Sequence, residues 1–388
     1  MEWSYTSKPK LIRVANVPGS LNTFCKGLLK KLSYDYEVVA LASPGPEMKE
    51  IEDREHVRTI SLPIERRISV FKDIISLWKM IVVFRKERPT IVHTIGGKCG
   101  LLSMIAAWLT RVPIRMYTFT GLDSQVVTKG FLHYVLWFTD KLSCVLATDL
   151  LPEGCGVKRD MERSHLTKKT LTVLGHGNIR GIDLDYYCVN ENIAERASAV
   201  REKWKDDFTF VFVGRVVRDK GINELVSAFK KLYESNSNVR LLIVGPYEND
   251  IDPISSESRL YIDRCDHIEA VGSQKDVRPW YAAADCFVLP SYREGFPNSV
   301  IEAGAMNLPS IVTDINGANE IIIEGENGII VPPRNTEALL NAMVFMMTNK
   351  DKRDYMRGNA RKLVADRYEQ KFVHQCLFDY YKQALERL

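Results

Sequence analysis

The chain has 388 residues, 45% of them hydrophobic and 26% charged, and a formal net charge of +4. That length suits two domains of about 150–200 residues rather than one core, and the mild charge, without interleaved aromatic and basic residues, argues against nucleic acid. Eight cysteines without a CxxC pair or metal-like spacing to histidine read as free thiols of a reducing compartment, which favours the cytoplasm; no signal peptide is visible in Met1–Lys10, and no apolar run reaches the roughly 18 residues of a membrane span.

In chain order, Lys10–Val17 predicts a strand, Pro18-Gly19-Ser20 a loop, and the following stretch a helix through about Leu32. Tyr36–Ala42 and Val57–Ile60 predict strands. Phe71, Ile74, Ile75, Trp78, Ile81 and Val82 recur at helical spacing and predict a helix ending before Pro89. Thr90–His93, Ile114–Thr118, Leu142–Ala147 and Thr170–Leu174 predict further strands, with a helix over Lys98–Leu109. Gly175–Gly181 closes this half, and Asp183–Asn190 reads as the passage to a second domain. There, strands are predicted at Phe208–Gly214, Val239–Val244, His267–Val271, Cys286–Pro290, Ser310–Thr313 and Ile329–Val331. Helices are predicted over Ile222–Tyr233, up to Tyr281, from Asn298 or Ser299, and from Thr336 onward. Repeated βα units imply parallel, doubly wound sheets, whose ligands bind outside the carboxyl ends of the strands.

The stretch Ser291-Tyr-Arg-Glu294-Gly295-Phe296-Pro297-Asn298-Ser-Val-Ile-Glu302 leaves a strand, crosses a Gly/Pro loop and enters a helix. A helix N-terminus offers unpaired N–H groups and partial positive charge to a phosphate, while flanking carboxylates accept hydrogen bonds from sugar hydroxyls. Together these describe a nucleotide-sugar site. Ser299-x-x-Glu302 equally fits a capping box, with Glu302 serving only the backbone. Gly214-Arg215-Val-Val-Arg218-Asp-Lys220-Gly221 also follows a strand and opens a helix, and its cations suit a diphosphate or simply a solvated loop. In the first half, Val92-His93-Thr94-Ile-Gly96-Gly97-Lys98 runs through Gly-Gly into a helix, a geometry for an anion or for a plain βα turn. His93 fits a structural role as well as a site role. Arg66, Arg67, Lys72, Lys79, Arg85, Lys86 and Arg88 stud a broadly apolar helix, which either packs on a sheet or, with Lys26, Lys30 and Lys31, docks on anionic lipid.

The run EGFPNSVIEAGAMNLPSIVTDINGANEII, with Glu294 and Glu302 set apart by a Glu–seven residues–Glu pattern, resembles retaining glycosyltransferases of family 4. The likeness covers nearly the whole chain. It implies an α/β, GT-B fold, two Rossmann-like doubly wound domains facing across a cleft: an acceptor-binding domain over 1–185, to which a helix of about 369–388 returns, and a nucleotide-sugar domain over 186–368. By the resemblance Glu294 contacts the transferred sugar, Glu302 the ribose, and Arg215 and Lys220 the pyrophosphate; Arg218 lies outside the pattern. Gly214, Gly295, Phe296, Pro297 and Asn298 complete the donor loops, and Val271 lies where the base is read. On the acceptor side the candidates are Gly19, His93, Gly97, Lys98 and Thr120. Thr120-Gly121 stands where many members carry His-Gly, so no catalytic histidine is expected there.

The implied activity is retaining transfer from a UDP-sugar to a glycan acceptor carried on a polyprenyl diphosphate, in surface-polysaccharide synthesis. The departing phosphate itself takes the acceptor's proton. No cofactor or metal is expected; the place of action is the cytoplasm, at the inner face of its membrane, with peripheral contact to anionic lipid and no nucleic acid. Two alternatives share the fold: a UDP-sugar 2-epimerase and a non-catalytic sugar-nucleotide binder.

Overall fold

The computed structural model describes residues 8–65, 69–125, 130–204, 206–248, 250 and 252–388. Its contacts divide the chain into two units, Met1–Gly181 with Lys371–Leu388, and Ile182–Gln370. Among the described residues each unit holds one six-stranded parallel sheet.

In the first unit β1 (Lys10–Ala15) leads into the short helices α1 (Pro18–Phe24) and α2 (Leu28–Leu32). Then follow β2 (Glu37–Ala42), α3 (Glu47–Glu55), β3 (Arg58–Ser61), α4 (Val70–Glu87), β4 (Ile91–Ile95) and α5 (Gly97–Leu109). The series ends with β5 (Ile114–Phe119), α6 (Phe131–Leu146), β6 (Asp149–Pro152) and α7 (Cys155–Arg163). The strand order is β3-β2-β1-β4-β5-β6. Helices cover both faces, so the central strands β1 and β4 are buried at nearly every residue instead of every second one. On β1, Ile12 and Val14 join the core under α4, α5 and α6, while Leu11 and Ala15 join the core under α1, α2 and α3.

Four expectations are corrected here. The helix foreseen through Leu32 is two helices, because Gly27 takes a left-handed φ of 72° and turns its N–H to the Glu55 carboxylate at 2.8 Å. Pro18 starts α1 instead of a loop, since its fixed φ suits the first helical position. Leu142–Ala147 is the end of α6 and the start of the loop behind it; the strand follows at Asp149–Pro152, and Thr170–Leu174 contributes only a single bridge, Leu171 to Leu150. A short, largely apolar run fits strand or helix alike, and α6 carries apolar side chains on its outer face as well as its inner one, which blurs the helical period.

The second unit opens with α8 (Glu191–Arg201), β7 (Phe208–Val213), α9 (Ile222–Ser235), β8 (Val239–Val244) and α10 (Ser256–Arg264). It continues through β9 (Ile268–Gly272), α11 (Arg278–Ala282), β10 (Cys286–Leu289), α12 (Asn298–Ala305), β11 (Ser310–Thr313) and α13 (Ala318–Ile321). It closes with β12 (Gly328–Val331), α14 (Thr336–Thr348) and α15 (Lys350–Tyr368). The strand order is β12-β11-β10-β7-β8-β9. The last helix, α16 (Gln370–Leu385), puts Leu377, Tyr381 and Ala384 into the first unit's core, and Tyr380 and Arg387 reach the Asp149 carboxylate at 2.9 and 2.6 Å.

Candidate functional site

In the second unit the chain starts at the middle of the sheet with β7, runs outward through β8 and β9, then crosses back to β10 and outward the other way. The loops after β7 and β10 therefore leave neighbouring carboxyl ends in opposite directions, the arrangement at which open α/β sheets bind ligands. Those loops are Gly214–Gly221 and Pro290–Pro297, which carry most of the candidate donor residues; Asn298 and Glu302 follow in α12, and Val271 is the penultimate residue of β9.

Asp219 fastens them together. Its carbonyl accepts the Tyr292 N–H at 2.9 Å and the Ser291 hydroxyl at 3.2 Å, and its carboxylate takes the Arg293 guanidinium at 2.7 Å. Lys220 and Glu294 then form an ion pair across the same seam, with side chains 18% and 13% exposed. Gly221 makes this approach possible: its φ is +71°, and a Cβ there would sit 2.0 Å from the Pro290 carbonyl oxygen. On the far side Gly317 also presses close to the Gly295 carbonyl oxygen, at 2.5 Å for an added Cβ. Tyr292 gives its hydroxyl to Glu224 at 2.6 Å; burial first, and that acceptor second, push its pKa up and keep it a donor.

Arg215 is half-exposed and meets Glu248, in the loop after β8, at 2.6 Å. Arg218 points away to Asp252 at 3.1 Å and is mostly exposed. Glu302 is 9% exposed, on the buried side of α12, with the Tyr281 hydroxyl 3.3 Å from its Oε2. The capping-box alternative does not survive: Pro297 is the N-cap, without a side-chain cap bond, so Ser299 is the second helical residue and Glu302 the fifth. Asn298 begins the helix and is half-buried. Phe296 corrects one expectation, because its ring is buried edge-on against Tyr368, centroids 5.6 Å apart. It shapes the loop and offers a ligand only its backbone. Val271 is half-buried, its carbonyl taking the Gln274 amide at 2.8 Å, and Gly214 gives its N–H to Val244 at 2.9 Å.

Sequence reasoning missed Asp219, Glu248, Tyr281 and Glu224. Asp219 stands inside the quoted Arg-Asp-Lys run, but nothing local marks a partner about seventy residues on. Among the described residues no group of three His, Cys, Asp or Glu side chains has the arrangement to hold a metal ion.

The first unit's candidates collect at the carboxyl ends of β1, β4 and β5, beside the reversal between β1 and β4. Gly19 is in the first turn of α1, Gly97 opens α5, Lys98 pairs with Asp73, and Thr120 follows β5. His93 is corrected to a structural residue. It is 1% exposed, its Nδ1 faces the Arg13 guanidinium and the Tyr381 hydroxyl (2.6 Å), and its Nε2 meets Thr118 Oγ1 at 2.7 Å. Burial, with the Arg13 charge, holds its pKa well below the ordinary value and keeps it neutral. Lys26, Lys30 and Lys31 belong to the α1–α2 layer, on the opposite face of the sheet from α4, so they do not extend the basic surface of that helix. Arg66 and Arg67 lie outside the described residues. Among the described residues no helix is long and apolar enough to cross a membrane.

Comparison with known proteins gives two family matches: residues 194–363 match glycosyl transferases group 1, and residues 25–147 a glycosyl transferase 4-like domain. The capsular polysaccharide biosynthesis glycosyltransferase CapM of Staphylococcus aureus is 33% identical, over 92% of each chain. An Escherichia coli UDP-Gal:alpha-D-GlcNAc-diphosphoundecaprenol alpha-1,3-galactosyltransferase is 27% identical, over 83% of this chain and 82% of its own. Among solved structures, Anabaena HepE in complex with UDP-glucose shares the fold, with a TM-score of 0.78 at 16% identity over 96% of this chain and 99% of that one.

Proposed function

Since the chain belongs to the glycosyl transferases group 1 family, led by a 4-like domain, and is a glycosyltransferase, we propose that it takes its sugar from a UDP-sugar with retention. The acceptor is a glycan on a polyprenyl diphosphate, and the product belongs to a capsule or related surface polysaccharide, worked on at the cytoplasmic face of the membrane. The names of the Staphylococcus aureus and Escherichia coli relatives support the pathway and the lipid-linked acceptor. One observation carries the donor site: Lys220 and Glu294, from separate loops, are paired at the strand reversal, with Arg215 on the same loop as Lys220.

In this reading the bond from the anomeric carbon to the diphosphate oxygen breaks, a bond to the acceptor hydroxyl oxygen forms on the same face, and the hydroxyl proton passes to the departing diphosphate. The chemistry asks the protein mainly to hold charge that grows on the leaving group. Lys220 has three donors, so it keeps Glu294 with one and turns the others to the diphosphate. Arg215 exchanges Glu248 for a phosphate oxygen, an exchange its half-exposed position permits. Glu294, fixed by Lys220, accepts hydrogen bonds from hydroxyls of the transferred sugar, and Glu302, fixed beside Tyr281, accepts those of the ribose. In this reading Lys220 stands ready before the charge develops, and Arg215 joins it on leaving Glu248.

The test is incubation with a panel of UDP- and GDP-sugars and a polyprenyl-diphosphate-linked acceptor, followed by NMR of the product anomer. Transfer from a UDP-sugar with unchanged anomeric configuration is expected. An inverted product, a strict need for a GDP-sugar, or a new free sugar isomer in place of transfer would each overturn the reading.

A further inference from the structure

Two helices of the first unit turn apolar faces away from the protein. On α4 the buried stripe is Ser76, Met80, Phe84 and Glu87, one side chain every three or four residues. The opposite stripe carries Phe71, Ile74, Ile75, Trp78 and Val82, between 44% and 84% exposed. Along one edge of it Lys72, Lys79 and Lys86 recur every seven residues and are exposed; Lys72 also meets Glu65 at 2.7 Å. On α6, Asp140, Ser143 and Cys144 are buried, while Phe131, Tyr134 and Phe138 stand 60–84% exposed. The intervening α5 packs against both helices and ends in the exposed Trp108. Isolated apolar residues on a surface need no explanation, but two helices that flank a third and repeat the pattern do.

The carboxylates of these helices are all engaged inward. Asp73 pairs with Lys98, Glu87 with Lys10 and Arg58, and Asp140 accepts the Ser124 N–H and hydroxyl at 3.1 and 2.9 Å. The outward face is therefore apolar with cations at its edge. We propose that this α4–α6 face is the surface by which the protein lies on an anionic lipid bilayer, the aromatic rings at headgroup depth and the lysine stems reaching back toward the lipid phosphates. The charge pattern selects the occupant. A second copy meeting this face about a two-fold axis would set the same cations against one another, whereas an anionic surface complements them.

The proposal uses no residue of the donor site, so the two stand or fall separately. Flotation of the full chain with phosphatidylglycerol-containing vesicles should carry the protein upward. Pure phosphatidylcholine should not, and high salt should weaken the effect. Phe71→Ser with Trp78→Ser, and independently Phe131→Ser with Phe138→Ser, should each lower vesicle partitioning about tenfold or more, since binding follows buried apolar area. These side chains are exposed, so the fold should persist, and an unchanged thermal shift with UDP verifies that. Absence of flotation with anionic vesicles, flotation indifferent to both pairs, or a dimer in sedimentation that either pair dissolves would overturn it. A protein that floats yet shows no UDP shift would leave the lipid surface standing and sink the donor reading.

Discussion

Lys220 and Glu294 are paired, and the pairing makes their substitutions separable. Removing the Glu294 charge frees Lys220 for the diphosphate, so Glu294→Gln should leave UDP affinity unchanged or raised. Turnover should fall by about a hundredfold or more, because the transferred sugar loses its anchor. Lys220→Met does the reverse to affinity: it strips a cation from the diphosphate and leaves the Glu294 carboxylate, 13% exposed, without its ion-pair partner. UDP binding should then weaken about tenfold or more, and turnover should fall with it. Titration calorimetry with UDP beside steady-state rates reads both. Equal losses of UDP affinity in the two variants would mean that the pair serves only to hold the loops. Glu294, Arg215 and Lys220 were singled out in the sequence by the likeness of their runs to family 4, since the runs alone fitted a solvated loop or an ordinary loop carboxylate as well. Asp219 and Glu248 were not, since their role exists only where Asp219 meets Arg293 and Glu248 meets Arg215 across long stretches of chain.

At the scale of elements, the donor loops depend on how closely α9's first turn approaches the end of β10. Gly221→Ala puts a methyl 2.0 Å from the Pro290 carbonyl oxygen at a φ that side chains disfavour, so the two loops must separate. The expected cost is about 1–3 kcal/mol in a urea melt, with a larger proportional loss of turnover than of stability. Undiminished turnover would show that loop spacing is slack. The helix α4 makes a second case. Its terminal carboxylate, Glu87, takes Arg58 at 2.5 and 2.9 Å and Lys10 at 3.0 Å, tying the helix to β1 and β3. The Arg58 hydrogen bond foremost, then Lys10, pull its pKa down to about 2 against burial. A carboxylate depressed in the folded state stabilises above its unfolded pKa, near 4.5, and that contribution drains as pH falls from there toward 2. Glu87→Gln should therefore lower stability at pH 7 and match the parent near pH 2. A constant difference across that range would remove the ion pair as the cause. The strand predicted at Leu142–Ala147 failed at this same scale, for α6 carries apolar side chains outward as well as inward, and a period of 3.6 blurs when both faces carry them.

For the whole molecule, repeated alternation of strand and helix was enough to foresee two doubly wound parallel sheets, because apolar runs such as Leu241–Val244 can be satisfied only between two helical layers. What no local pattern marked was which polar groups those layers would enclose. In the first unit they enclose Arg13 and His93 around Tyr381, and His374 farther back on α16, its ring beside that of Phe378. His374 is 1% exposed with neither ring nitrogen hydrogen-bonded, and burial first, then the charges of Lys31 and Arg13, press its pKa down to about 3. His93 is depressed in the same sense. A histidine held neutral in the folded state binds its proton first in the unfolded state, so stability is complete above about pH 6.5 and declines as pH falls below it. Each such group contributes up to about 1.4 kcal/mol per pH unit. Both depressed histidines, His93 and His374, belong to the first unit. Hydrogen exchange at pH 7.5 and 5.5 should thus lose protection chiefly in β1, β4 and α16, with β7, β8 and β10 changing little. His374→Phe removes an unsatisfied buried polar ring without emptying its volume. It should be neutral or stabilising at pH 7.5 and should flatten the acid decline of the first unit. A decline shared evenly by both sheets, or one that His374→Phe leaves as steep, would mean that acid acts through other groups.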